Sequence, residues 1–270
     1  MNDEGASDER PALTRRQLLV GLAGSTASVA TVGTLGYARR EPTDRLEVRL
    51  WFSDRAAGYD GIADRVRDYL KALLSDEHWE LELSVGGTVA VSTEDGARVT
   101  SGGEWPTTLA SGAVGVGDVD PVSDVNLLVT DGQMTTAPTG FALPHVASVG
   151  GARYLATLPP IAELGTVRDG EVVHRTVPNE RPTRTIQILL HEIGHALGLE
   201  HDHGVAFRSE ETVVATPMLS SYAWDPDYKQ DRSRCGTVYP STAGRDRALS
   251  LTFSTCSRRE LESYSGGLTL

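Results

Sequence analysis

The run His191-Glu192-Ile193-Gly194-His195-Ala196-Leu197-Gly198-Leu199-Glu200-His201-Asp202 decides the reading of this 270-residue chain. Just upstream, Ile186, Leu189 and Leu190 lead into Ile193 and Leu197 at helical spacing behind Pro182, so a helix is predicted from about Thr183. On it His191 and His195 project from one face, about 6 Å apart along the axis. Two neutral imidazoles so placed can hold one Zn²⁺ at roughly 2.0–2.1 Å. Gly198 lets the chain leave the helix in a left-handed conformation, and the turn brings His201 back as third ligand. Three neutral ligands leave the ion doubly positive with an open position, the arrangement of a catalytic site. Glu192 sits one residue along, placed to act as general base on a water at that position. Asp202 is expected to orient its neighbours, and His203 to be a solvated neighbour of the motif.

Outward from this helix the pattern is that of an α/β protein. Leu46, Val48, Leu50 and Phe52 alternate with Glu47, Arg49 and Trp51, the period of a half-buried strand. Ile62, Val66, Tyr69, Leu70, Leu73 and Leu74 mark an amphipathic helix over 57–75, and a second strand follows from Trp79 to Val85. That order predicts a parallel crossover. Residues 86–124, rich in Gly, Ser, Thr and acids, read as a surface excursion with a short hairpin at Val89-Ala90-Val91. Val125–Val129 is a continuous apolar run and so a central strand, with further strands expected at 140–143 and 152–156.

Net charge is −12, which excludes the basic surface that nucleic acid or an anionic membrane requires. Only Lys71 and Lys229 are lysines. The acid-rich, lysine-poor balance fits solubility in strong salt, and a high-GC coding bias produces the same arginine excess. Near the N-terminus Arg15-Arg16 precedes the uncharged run Leu18–Ala38, similar to a twin-arginine export signal with cleavage after Ala30 or Ala38. The alternative is an uncleaved membrane anchor over 18–38. With export, Cys235 and Cys256 pair as one disulfide; without it they are two buried thiols. Asp95, Asp118, Asp120 and Asp124 offer oxygen ligands of the Ca²⁺ type, with a solvated acidic loop as the other reading.

The central motif resembles that of the metzincin family of zinc endopeptidases, H-E-x-x-H-x-x-G-x-x-H, at every fixed position. The stretch through His201 is most similar to the matrixin branch, and Asp202 to the adamalysin branch. The resemblance implies a Met-turn, and Thr216-Pro217-Met218-Leu219-Ser220-Ser221-Tyr222 fits in order and distance. It places Met218 beneath the histidines and Tyr222 at the wall of a primed-side pocket, although the proline expected at Ser220 is missing. Astacins carry a ligating tyrosine at that same position, so a tyrosine ligand is not implied. Val125–Thr130 and Gly140–Ala142 resemble the family's central strand and its antiparallel edge strand, which pairs with extended substrate. Phe253-Ser254-Thr255-Cys256-Ser257 resembles the adamalysin segment before the last helix, where Ser257 and Glu260 read as a capping box.

The chain departs from the family pattern in three places. No cysteine precedes the catalytic helix, so a cysteine switch is not expected. Little sequence separates the signal from the first strand, so no folded prodomain is expected. Residues 86–124 contain no histidine, so no second, structural zinc is expected.

The expectation is therefore a signal or anchor over 1–38, a linker over 39–45 and a metzincin-like catalytic domain over 46–270. Its upper lobe would hold a twisted mixed sheet with two helices, and its lower lobe would be irregular, with the Met-turn and a C-terminal helix. Function would be that of a secreted, monomeric zinc metalloendopeptidase acting on extended polypeptide. Two rivals fit the same residues: a secreted binding module with a structural or vestigial zinc site, and a zinc hydrolase of cell-wall peptides.

Overall fold

Alternation along strand β1 (Arg45–Ser53) sets the two faces of the first sheet. Leu46, Val48, Leu50 and Phe52 enter the main core, whereas Trp51 enters a second cluster on the opposite face. The structure is a computed structural model that describes residues 42–75, 78–134 and 139–267. The signal expected over 1–38, with its anchor alternative, and residues 39–41 of the expected linker lie outside the described residues. Among the described residues, no helix is long and apolar enough to cross a membrane.

A separate short helix, α1 (Asp54–Ala57), precedes the helix expected over 57–75, which is α2 (Ile62–Leu74) and starts later than expected. Ser53 caps the first, its hydroxyl accepting from the Ala56 N–H at 3.1 Å. The second contributes Val66, Tyr69, Leu70 and Leu74 to the same core that receives Leu46, Val48 and Leu50 of β1. Strand β2 (Glu80–Val89) then pairs parallel to β1, as the crossover requires.

Residues 86–124 depart from the expected surface excursion. β2 runs on to Val89 in place of a hairpin, and two helices follow, α3 (Gly96–Ser101) and α4 (Glu104–Ala113). Val99, Trp105 and Leu109 pack there against Trp51, Val89 and Leu128. Trp51 and Trp105 meet edge to face at 6.0 Å, a geometry worth about 0.5–1.5 kcal/mol beyond area burial. The three apolar side chains are too sparse among Gly, Ser and Thr to show a helical period. They become a pattern only when the sheet's second face needs covering.

β3 (Val125–Val129) is buried throughout and lies at the centre of the sheet, as its apolar run predicts. β4 (Gly140–Leu143) and β5 (Val146–Val149) complete the order β2-β1-β3-β5-β4. All neighbours are parallel except β4, which ends the sheet antiparallel to β5. Residues 152–156 form a helix, α5 (Ala152–Ala156), not the expected strand. The buried Asp131 carboxylate accepts from Arg153 Nη2 at 2.6 Å and anchors this helix beside β3. Burial pushes the Asp131 carboxyl up, but the Arg153 hydrogen bonds and charge, with the Tyr59 hydroxyl, hold it below its usual range.

The lower part is not irregular. β6 (Gly165–Asp169) and β7 (Val172–Pro178) precede α6 (Arg181–Ala196), and β8 (Ala206–Ser209), β9 (Thr212–Ala215) and β10 (Asp246–Ser250) follow it. They form a second sheet of order β6-β7-β10-β9-β8, with β9 and β10 parallel and the other pairs antiparallel. Strands of four or five residues such as β8 and β9 are too short to declare a period against their surroundings. The α/β class with a mixed sheet holds, enlarged by this second sheet and by more helices than the two expected beside the first sheet and the one at the C-terminus. The last helix, α7 (Thr255–Leu261), is capped by Ser254, whose Oγ accepts from the Ser257 N–H at 3.0 Å. The cap is thus three residues earlier than the expected Ser257–Glu260 box.

Candidate metal centre

α6 starts slightly before the expected Thr183, with Glu180 as its N-cap and Pro182 in its first turn. Ile186, Leu189, Leu190 and Ile193 are wholly buried, which seats the helix in the main core and fixes the rotation of its polar face. His191, His195 and His201 converge there, with one ligand atom from each lying within 4.8 Å of the others. Among the described residues this is the one group of three or more His, Cys, Asp or Glu side chains able to hold a metal ion.

The turn that delivers His201 is a Schellman motif. The Gly198 N–H donates to the His195 carbonyl at 3.0 Å and the Leu199 N–H to the Gly194 carbonyl at 2.8 Å. Gly198 has φ +91°, where a Cβ would be strained. The same turn orients a ligand: His195 Nδ1 donates to the Leu199 carbonyl at 2.7 Å. His191 Nδ1 donates to the Pro217 carbonyl, also at 2.7 Å. Both imidazoles are therefore held with Nδ1 protonated, making Nε2 the ligand atom. The two Nε2 atoms are 3.0 Å apart. Tetrahedral zinc with bonds of about 2.0–2.1 Å separates its donors by about 3.3 Å, so the residues fit the ion.

Glu192 is buried next to His191, and its side chain lies against Gly140 of the edge strand. Met218 is wholly buried beneath α6, where a Cβ at Gly194 would collide with its sulfur. Tyr222 stands beside the cluster with ring centroids 4.5 Å from His201 and 6.2 Å from His191. Tyr228 stacks on it at 5.3 Å, and burial, with the Asp202 and Tyr222 charges, pushes the Tyr228 hydroxyl up to about 12.

Ser220 explains the missing proline. Its φ is +50°, which the proline ring forbids. Its hydroxyl donates to Gln187 Oε1 at 2.9 Å, while Gln187 Nε2 donates to the carbonyls of Ala215 and Ser250 at 2.9 and 3.0 Å. Gln187 thus joins α6 to the Met218 turn and to β10. Sequence reasoning passed over it, although a glutamine one turn before His191 is a legible signal.

The disulfide Cys235–Cys256 is present and joins the loop after Tyr222 to α7. Beside it, the Arg234 N–H donates to the Asp202 carbonyl at 2.7 Å and Arg234 Nε to the Asp202 carboxylate at 3.1 Å. His203 is buried rather than solvated, its Nδ1 accepting from the Glu200 N–H at 2.8 Å. Its carbonyl accepts from the hydroxyls of Ser254 and Ser257. The loop bearing His201 is therefore tied to α7.

The calcium expectation finds no support. Asp124 accepts from the Glu47 and Gly267 N–H groups and the Tyr264 hydroxyl, Asp120 pairs with Arg49, and Asp95 caps α3. These carboxylates serve protein partners in separate places.

No protein-family model matches the chain, and no curated protein matches it. Among solved structures, an archaemetzincin from Methanopyrus kandleri is similar over 81% of this chain and 94% of its own, at 18% identity and a TM-score of 0.38. A structure of a chaperone–substrate complex is similar over 83% of this chain and 34% of its own, at 10% identity and a TM-score of 0.38. Similarities this distant add nothing to what the chain's own residues establish about the site.

Proposed function

We propose that this chain is an exported zinc-dependent endopeptidase related to the metzincins, with residues 46–270 as its catalytic domain. The observation that carries the reading is the convergence of His191, His195 and His201, two of them held by carbonyls so that Nε2 faces the shared point. These three side chains would hold the metal. When bound, zinc supplies a Lewis acid that acidifies water and polarises a peptide carbonyl.

The chain's own groups do the rest. Glu192, as a carboxylate, takes a proton from the attacking water while the water oxygen bonds to the scissile carbonyl carbon. It then delivers that proton to the departing amine nitrogen as the C–N bond breaks, and so returns to its starting state. Burial keeps bulk water from competing for this carboxylate. β4, at the end of the sheet, offers a backbone edge along which an extended polypeptide can add as a further strand. Met218 supports the helix under the histidines, and Tyr222 forms a wall of the cleft beside His201. The twin-arginine-like segment and the disulfide both suit export, and the protein would act as a monomer.

The test is Glu192→Ala assayed on casein and on a quenched peptide library, with zinc content measured in parallel. Near-stoichiometric zinc with activity down at least ~10²-fold is expected, the scale of a lost general base. Full activity in the variant would move the base elsewhere. A wild type that binds zinc yet cleaves no protein, but cleaves cell-wall peptide, would reassign the substrate.

A further inference from the structure

We propose that Gly140 is a positioning residue for Glu192: the bare backbone at this point of β4 sets where the catalytic carboxylate sits. The inference rests on the general-base role given to Glu192 above. A Cβ built at Gly140 would lie 2.8 Å from both Cγ and Oε1 of Glu192, and 3.0 Å from the Ser148 carbonyl oxygen. Non-bonded carbon contacts at 2.8 Å are well inside the optimal separation of about 3.5–4.0 Å, so something has to move.

What moves is decided by the surroundings. The α6 backbone is held by wholly buried Leu189, Leu190 and Ile193, two of them adjacent in sequence to His191 or Glu192. β4 is held in register on β5, with Gly140 opposite Val149 and Phe141 opposite Ser148. The rotatable part is the Glu192 side chain. A methyl at residue 140 therefore displaces the carboxylate, while no histidine atom is among the three nearest to that methyl. Glycine at residue 140 does two things at once. It makes room for the base, and it brings the base within contact distance of the strand proposed to carry the substrate.

A displacement of about 1 Å in a reacting group can cost ~10²-fold in rate. Gly140→Ala should lower kcat by that order, with KM within about threefold and the zinc content unchanged. A purely structural role is separated from this by a double-mutant cycle with Glu192→Ala, which removes Cγ and Oε1, the two closest atoms that the methyl would meet, and leaves the Ser148 carbonyl in both backgrounds. In that background Gly140→Ala should change residual kcat by less than about threefold, and the drop in Tm that it causes alone should shrink. Equal proportional losses of kcat in both backgrounds, or full kcat in Gly140→Ala, would overturn the proposal. If Gly140→Ala is too unstable to assay, Tm decides: stability regained on adding Glu192→Ala supports the contact, and none regained overturns it. A wild type without peptidase activity would instead sink the catalytic reading, and the Tm cycle would still judge the contact between residues 140 and 192.

Discussion

The two sides of the candidate metal centre are built differently. His191 and His195 stand on one helix whose buried face, Ile186, Leu189, Leu190 and Ile193, belongs to the main core of the molecule. His201 stands in a short 3₁₀ turn, His201–His203, and Tyr222 in another, Ser220–Trp224. The His201 turn is held by Arg234, by the Ser254 and Ser257 hydroxyls and by the disulfide to α7, and the Tyr222 turn through Ser220 to Gln187. The helix side takes its geometry from a repeat of about 3.6 residues and its stability from apolar burial. The loop side takes both from specific ties to distant residues. A site made this way can keep two ligands rigid while the third side yields first when stability falls.

Gln187 spans the two sides, so its loss should have the largest effect on stability. Gln187→Leu keeps the volume but strips the Ser220 hydroxyl and the Ala215 and Ser250 carbonyls of a buried partner. At ~1–3 kcal/mol for each orphaned group, a total on the order of 4 kcal/mol is expected, with weaker zinc retention. Urea unfolding and zinc competition measure both. A loss below ~1 kcal/mol would show that the sides are held together elsewhere.

Breaking only the loop side should cost less. Cys256→Ser opens a tie between residues separated by 21 positions, worth ~3 kcal/mol by loop-closure entropy. Hydrogen exchange should rise over 201–204 and 225–240 while α6 stays protected. Uniform loss of protection through α6 would erase the distinction between the two sides.

A third effect, confined to low pH, concerns His174, deep in the second sheet against Ser250 and Phe207. Burial lowers its pKa from 6.5 to about 4; Arg258 adds to this and Asp169 opposes it. Below pH 6.5 the unfolded chain therefore binds a proton that the folded chain refuses. The stability that neutral His174 supports is complete above pH 6.5 and is lost as pH falls toward about 4. Thermal unfolding from about pH 7 to about pH 4 should show a steeper loss for the wild type than for His174→Leu. Parallel curves would place the titration in other groups.

By itself the sequence determined what rests on local periodicity and on single-residue chemistry. The alternation of β1, the buried run of β3, the helical face of α6 and the turn at Gly198 all follow from side-chain spacing or the missing Cβ of glycine. So does the proximity of His191, Glu192 and His195, because neighbours on a helix are fixed by its pitch. Tertiary structure decided the rest, where each piece gains meaning only from a distant partner. Val99, Trp105 and Leu109 form a pattern only against the second face of the sheet, and the short strands β8 and β9 only beside β10. His203 lies in the interior because its carbonyl accepts from the hydroxyls of Ser254 and Ser257, about 50 positions away. Likewise, nothing in the neighbourhood of Gly140 announces Glu192. A contact across half a hundred residues has no period to read, since it is set by which faces must be covered and which polar groups must be satisfied once water is excluded.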